Sequence, residues 1–280
     1  MQAVILLGPG THQKSLAALR SVGLTLDSWD QNGANSADLI VVLGGDGTIH
    51  RNLPQLIEAK APVLIVPDGS GNDLARALNI HSAETSWQLV NRFVRSQLSH
   101  KEIDVGVIAD SSGQETPFCC VGGIGLDPIA GAFANRMPRW LRSRGGYLLS
   151  VARALLSPPV LRLRIRADDR EMQQNSCLFS FANTPTFGGG LRIAPQAQVD
   201  DGLLDCVLVD ALSTPQLIQR VPALLNGTVL GLKEVTLVRA KTLQIDSDPP
   251  AWVYADGESV CQTPINVRVL RHAIRVLVAH

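Results

Sequence analysis

The sequence predicts an α/β protein of two domains, an open α/β nucleotide-binding unit followed by a β-rich one. Three observations lead there. Residues Leu39-Ile40-Val41-Val42-Leu43 form an unbroken apolar run ending in Gly44-Gly45-Asp46-Gly47-Thr48, the pattern of a buried strand that opens into a glycine loop. The unit then recurs: Val63-Leu64-Ile65-Val66 runs into Pro67-Asp68-Gly69-Ser70-Gly71-Asn72-Asp73 and the helix-like Leu74-Ala75-Arg76-Ala77-Leu78. From Lys101 onward, helical spacing gives way to strands and turns.

Taken in order, Ala3–Leu7 is an apolar strand closed by Gly8-Pro9-Gly10, and it reads as a first strand, not a signal peptide. Residues 12–22 carry helical spacing stopped by Gly23, and 24–26 form a short strand. After the first glycine loop the pattern turns helical. Because Pro54 is tolerated best in a first turn, Asn52 is expected to cap a helix that begins at Leu53. Residues 82–86 open a further helix through Trp87, Leu89, Val90 and Phe93. Beyond residue 100, strands are expected over 103–109, 116–121, 160–167, 176–183, 206–209, 234–238, 243–245, 252–255, 265–270 and 274–278. Strand 160–167 alternates cleanly, with Leu161, Leu163 and Ile165 inward and Arg162, Arg164 and Arg166 outward. Gly122-Gly123-Ile124-Gly125 reads as a close strand-to-helix turn, residues 128–157 as a basic helical stretch, and Ser213 or Thr214 as the cap of a helix with Pro215 in its first turn.

Composition sets further limits. A chain of 280 residues, 45% hydrophobic, has ample core for one large domain or two medium ones. Its 25 basic and 25 acidic residues balance, which gives no nucleic-acid signature. Five scattered cysteines without Cys-x-x-Cys spacing read as small buried residues in a reducing compartment, not as disulfides or a zinc site. No apolar run approaches the ~18 residues that span a bilayer. A cytoplasmic protein is expected.

The paired loops resemble the catalytic domain of the diacylglycerol kinase family, which includes sphingosine and ceramide kinases and the bacterial YegS-like lipid kinases. The first loop matches the family's Gly-Gly-Asp-Gly-Thr, and the second its Gly-Thr-Gly-Asn-Asp with Ser70 for Thr. Phe187-Gly188-Gly189-Gly190, the segment Val199 to Asp205 and Asp256-Gly257-Glu258 continue the resemblance in family order. It implies an ATP-dependent, magnesium-requiring kinase acting on the hydroxyl of a diacylglycerol-like lipid. The domains would span 1–98 and 99–270, with residues 271–280 returning to the first, in a fold shared with NAD kinases.

The same resemblance assigns roles. Gly44, Gly45, Asp46, Gly47, Thr48, Ile49, His50 and Arg51, with Gly69, Ser70, Gly71 and Asn72, fall at the ATP contacts. Glycines let backbone N–H groups approach phosphate, and Thr48 offers a hydroxyl. Asp46 beside phosphate points to magnesium or to a nearby donor, and the alternative is a carboxylate that bonds its own turn. Glu258 would accept the substrate proton, with Asp256 supporting the metal or the loop. A magnesium site would form from the Asp201 carboxylate and the backbone carbonyls of Gln198 and Leu203. Two departures stand out: His50-Arg51 replaces the Asn-Glu of many bacterial relatives, and Cys120 replaces a common Asn. By itself, His50 reads as a loop or surface histidine.

Two rivals share these motifs, an NAD kinase-like enzyme and a non-catalytic nucleotide- or lipid-binding relative. The Gly-Ser-Gly-Asn-Asp and Asp-Asp-Gly-Leu-Leu-Asp segments favour the lipid kinases, and retention of Asp46, Asp201 and Glu258 favours catalysis. Between Asp127 and Asp168 no acidic residue occurs while eight arginines do, interleaved with Phe133, Met137, Trp140 and Tyr147. That pattern suits peripheral, transient contact with the inner membrane surface, the alternative being ordinary core residues beside a strand whose solvent face carries Arg162, Arg164 and Arg166. The oligomeric state is left open, a dimer being one option.

Overall fold

The protein, seen here as a computed structural model, is described over residues 2–9, 24–28, 37–95, 100–126, 153–154, 156–228 and 231–278. The helix expected at 12–22 lies outside these residues, as does nearly all of the basic stretch 128–157, including Arg139, Arg142 and Arg144.

Four parallel strands build the first unit: β1 (Gln2–Leu7), β2 (Thr25–Ser28), β3 (Leu39–Gly44) and β4 (Val63–Pro67), in spatial order β4-β3-β1-β2. Every residue of β3 is buried, as a parallel strand covered on both faces requires. Helix α1 (Asp46–Glu58) follows β3, the short α2 (Asp73–Ala77) follows β4, and α3 (Ala83–Val94) comes next. Leu53 and Leu56 of α1 and Leu89 and Val90 of α3 pack into the core that encloses β1, β3 and β4. Ser82 caps α3 by accepting from the Thr85 N–H at 3.2 Å.

Helix α1 begins seven residues before the expected Leu53, directly after Gly45, and carries Pro54 in its interior. Pro54 points outward and is exposed, and Asn52 donates its side-chain amide to the Thr48 carbonyl at 2.8 Å instead of capping anything. Proline removes one helical N–H, and burial of Ile49, Leu53 and Leu56 outweighs that loss.

The second unit is almost wholly antiparallel. It comprises β5 (His100–Ala109), β6 (Glu115–Phe118), β7 (Val121–Gly125), β8 (Leu161–Ala167), β9 (Arg170–Ala182), β10 (Leu204–Asp210), β11 (Val235–Ala240), β12 (Thr242–Asp248), β13 (Trp252–Ala255), β14 (Glu258–Gln262) and β15 (Ile265–Leu277), with helix α4 (Thr214–Asn226) between β10 and β11. The sheet runs β14-β13-β7-β9-β8-β12-β15 and then continues into β4-β3-β1-β2. Strand β10 pairs with β9 and carries β11, while β5 pairs with β15 and carries β6. Inward residues of β8, β9, β10, β12, β13 and β15 fill a second core, in which Phe118 and Phe181 meet edge to face with centroids 5.5 Å apart. Strand β8 alternates buried and exposed along its whole length, its three arginines outward.

Strand β15 joins the units. It pairs antiparallel with β5, shifts register between Leu270 and Ile274, and at Val276 lies parallel to Val63 of β4. The two strands expected at 265–270 and 274–278 are therefore one strand with a bulge. Residues 122–125 also depart from expectation, forming strand β7 instead of a turn into a helix. A Cβ on Gly122 would sit 2.1 Å from the Phe181 ring, and one on Gly125 2.2 Å from the Cys177 carbonyl oxygen. Those glycines permit a strand to pass beneath a ring and a neighbouring backbone, a close approach that local sequence does not separate from a turn.

Candidate active site

The two glycine loops lie back to back. A Cβ on Gly69 would stand 2.4 Å from Gly45 Cα, and one on Gly45 would stand 2.7 Å from Gly69 Cα, so neither residue tolerates a side chain. Asp68 donates its N–H to the Gly44 carbonyl at 3.0 Å, which fixes the register of one loop on the other. Asn72, held at φ 56°, shapes the second loop by bonding both polar groups of Gly69: its Oδ1 accepts the Gly69 N–H at 3.0 Å and its Nδ2 donates to the Gly69 carbonyl at 2.8 Å. Ser70 is exposed at the tip of that loop.

Asp46, the first residue of α1, bonds across to the second loop, not to its own turn. Its Oδ2 accepts the Asp73 N–H at 2.9 Å and its Oδ1 the Leu74 N–H at 3.2 Å, at the start of α2. Burial, then the charge of Asp73, pushes the Asp46 carboxyl up to about 6, against the pull of those two amide bonds. Gly71 leaves room for it, since a Cβ there would lie 2.7 Å from Asp46 Oδ2. Gly45, the N-cap of α1, has no side chain to cap with, and its carbonyl accepts the Thr48 N–H at 2.8 Å, so the N-cap leaves the Asp46 and Gly47 amides for an outside acceptor. Thr48 and Ile49 face the core, and the Thr48 hydroxyl is packed against Gly8 and Gly44. Their N–H groups both turn to the Gly45 carbonyl, at 2.8 and 3.3 Å.

Asp73 ties this loop pair to the second unit, a role that sequence reasoning missed. Its buried carboxylate accepts from Thr186 Oγ1 at 2.7 Å and the Gly189 N–H at 2.8 Å, and pairs with Arg76. The available signal was the second acidic residue of Gly-Asn-Asp together with the triple glycine at 188–190.

From the other side comes the β13–β14 hairpin. Its turn is Asp256-Gly257, both at positive φ (50° and 86°), the two-residue geometry for which Asp-Gly is suited. The Asp256 side chain is completely enclosed. Its Oδ1 accepts the Cys120 N–H at 2.8 Å and the Val121 N–H at 3.3 Å; its Oδ2 accepts the Cys119 N–H at 2.9 Å and lies 3.2 Å from His50 Nδ1. Asp256 is thus a carboxylate in a nest of amides that anchors the hairpin, with no oxygen turned to the cleft. Cys119, Cys120 and Asp256 lie close enough to suggest a metal cage. The Cys119 thiol, however, is pushed up to about 12: contact with Cys120 pulls it down, and burial with the charges of Asp256 and Asp46 outweighs that.

His50 is not a surface histidine. It projects from α1 into the same nest, with 11% of its side chain exposed. Burial pulls its pKa down, but the hydrogen bond and charge of Asp256, then the charge of Glu258, outweigh burial and raise it above 6.5. A histidine whose folded pKa is raised adds stability that is complete below the unfolded pKa near 6.5 and is lost as pH rises through the folded value. Wild-type protein is therefore expected to lose melting temperature as pH rises above about 6.5 more steeply than His50→Gln, as thermal melts at half-unit pH steps would read. Parallel curves for the two proteins would remove His50 from the titration.

Glu258, beside that turn, hangs over the first loop. A Cβ on Gly47 would lie 3.9 Å from Glu258 Oε1 and 3.7 Å from Arg51 Nη1, and the two charged groups stand 3.9 Å apart, each about half exposed. Such an open ion pair contributes roughly 0–1 kcal/mol. The structure thus brings together Gly44–Arg51, Gly69–Asn72, Asp256 and Glu258.

The expected magnesium site is elsewhere and does not fit a cation. Asp201 Oδ1 accepts the Leu203 N–H at 3.0 Å, and its Oδ2 is in contact with the Arg239 guanidinium. Gln198 is exposed, and Asp200 pairs with Lys101 at 3.0 Å.

Residues 21–108 match the diacylglycerol kinase catalytic domain, and residues 121–278 match the YegS C-terminal NAD kinase beta sandwich-like domain. A diacylglycerol kinase from Mycobacterium tuberculosis is 33% identical over 248 residues, covering 87% of this chain and 78% of that one. The crystal structure of a diacylglycerol kinase from Bacillus anthracis superposes with a TM-score of 0.77 at 22% identity, covering 99% of this chain and 97% of that one. An NAD kinase from Archaeoglobus fulgidus, solved in complex with ATP, has the related fold at a TM-score of 0.56 and 17% identity, covering 99% and 93%.

Proposed function

The chain belongs to the diacylglycerol kinase family of lipid kinases, and from that premise we propose that it transfers the terminal phosphoryl group of ATP to the free hydroxyl of a diacylglycerol-like lipid. The observation that carries the reading is the position of Glu258 Oε1, 3.9 Å from where a Gly47 Cβ would be, at the open N-terminus of α1. Helix-start amides and glycine loops suit phosphate, and a carboxylate beside them is suited to take the proton of an acceptor hydroxyl.

In this mechanism the loops at Gly44–Gly47 and Gly69–Asn72 receive the nucleotide phosphates, and Asp46 and Asp73 keep the loops in register. The lipid oxygen attacks the γ-phosphorus, the bond from phosphorus to the β,γ-bridging oxygen breaks, and ADP leaves. Glu258 accepts the hydroxyl proton and returns it to solvent. Asp256, with His50, fixes the hairpin that carries Glu258. Magnesium enters as part of the nucleotide substrate and neutralises phosphate charge when bound. A diacylglycerol-like acceptor lies in a bilayer, so turnover takes place at a membrane surface. Among the described residues no helix is long and apolar enough to cross one.

The test is a substrate panel with γ-labelled ATP and Mg²⁺: diacylglycerol, monoacylglycerol, ceramide, sphingosine and NAD⁺. Label is expected in phosphatidate from diacylglycerol or in the corresponding product of a close glycerolipid. Label in NADP⁺ alone would overturn the lipid reading in favour of NAD kinase chemistry.

A further inference from the structure

The acidic turn at 200–205 carries Asp200, Asp201 and Asp205 within six residues, a concentration of negative charge that needs cations. Those cations are already in the chain. Asp205 and Arg239 are direct cross-strand partners on β10 and β11, so backbone pairing alone holds the arginine opposite the carboxylate. Arg239 Nε lies 3.3 Å from Asp205 Oδ1, and its Nη2 contacts Asp201 Oδ2. One guanidinium thus bridges two carboxylates, the geometry its planar fork suits. Lys101 of β5 takes Asp200 at 3.0 Å. Arg271 of β15 covers the turn, since a Cβ on Gly202 (φ 76°) would lie 2.8 Å from its Nε. Beneath, the fully buried Asp104 accepts the Gly202 N–H at 2.6 Å and the His272 N–H at 2.8 Å, fixing the turn to the β15 bulge.

We infer that Arg239 is a built-in counter-ion standing where a divalent cation would otherwise bridge Asp201 and Asp205, so that the second unit folds independently of metal. A guanidinium in contact with Asp201 Oδ2 repels a second cation from that oxygen, and β11 delivers it by strand register without help from solution. One further atom sharpens the inference. Asp205 is 1% exposed, yet its Oδ2 has no hydrogen-bond partner among the described residues. It is the oxygen a divalent cation would find if the guanidinium withdrew. Removing Arg239 is therefore expected to convert an arginine-bridged turn into a metal-binding one.

The experiment uses purified full chain, stripped with chelator, melted without nucleotide or lipid in Mg²⁺ from zero to the millimolar range. Its outcome is thus separate from that of the kinase assay. Wild type and Arg239→Lys are expected to show no Mg²⁺-dependent shift. Arg239→Met is expected to melt lower than wild type and to recover with rising Mg²⁺, and adding Asp201→Asn should abolish that recovery. A wild-type melting temperature that climbs with Mg²⁺, with the climb lost in Asp201→Asn, would overturn the inference. An Arg239→Met protein that is destabilised but indifferent to Mg²⁺ would overturn it as well, leaving an ordinary ion pair. If Arg239→Met does not fold without metal, refolding with and without Mg²⁺ replaces the melt: rescue supports the inference and no rescue in either condition counts against it.

Discussion

Glu258→Ala is expected to lower turnover by at least ~10²-fold, the usual scale for loss of a general base. Its melting temperature should stay close to that of wild type. The Glu258 side chain is 47% exposed and its only ion-pair partner among the described residues is Arg51, itself 52% exposed. An open pair of that kind contributes roughly 0–1 kcal/mol, so stability has little to lose. Nucleotide affinity should be retained too, because the proposed phosphate cradle is backbone from Gly44–Gly47 and Gly69–Asn72. Steady-state kinetics with saturating lipid, beside calorimetry of ATP binding, separates the two effects. Near wild-type turnover in Glu258→Ala would dismiss it as the proton acceptor. A parallel fall in ATP affinity would place it instead among the phosphate contacts.

The parts of this fold that were legible in the sequence are those in which local pattern and final environment coincide. Strand β3 is an apolar run because both of its faces are covered, and β8 alternates because one face is wet. Ser82 caps a helix by bonding three residues ahead, a contact contained in its own neighbourhood. Glycine was ambiguous. At Gly45 and Gly69 it allows two loops to touch, whereas at Gly122 it lets a strand pass under Phe181. Both uses read simply as absence of a side chain. Asn52 and Pro54 misplaced the start of α1 because burial of Ile49, Leu53 and Leu56 outweighs a single missing N–H.

Side-chain roles in the site were harder to read for a reason of distance along the chain. His50 and Asp256 are 206 residues apart, and Asp73 meets Gly189 across 116. The family resemblance brought Asp46, Glu258 and both glycine loops to one place, but it did not indicate the direction of each carboxylate. Asp46 turns to the amides of α2, Asp256 to those of 119–121, and Asp201 to Arg239. In each case the partner is a donor from a different element, fixed by the packing of the two units.

Asp256→Ala is expected to cost the most stability of any single change in the site. The substitution leaves the N–H groups of Cys119, Cys120 and Val121 without their acceptor, beside two buried thiols, and takes the partner from His50. Each orphaned buried donor costs about 1–3 kcal/mol. Alanine also tolerates φ 50° less well than aspartate, whose short polar side chain suits the left-handed region, which adds a smaller cost of the same sign. Against a typical total of about 5–15 kcal/mol, the loss approaches the whole stability of a domain. Asp256→Asn separates the contributions. Asparagine tolerates the first position of this tight turn and keeps one acceptor oxygen, so it should fall between wild type and Ala. It should also flatten the pH dependence above about 6.5 that the charge of Asp256 confers on His50. Urea melts of the three proteins at pH 6 and 8.5 test both statements. If Asp256→Ala melted with wild type while turnover collapsed, Asp256 would act in the chemistry itself, and the amide nest would not be what holds the hairpin over the first loop.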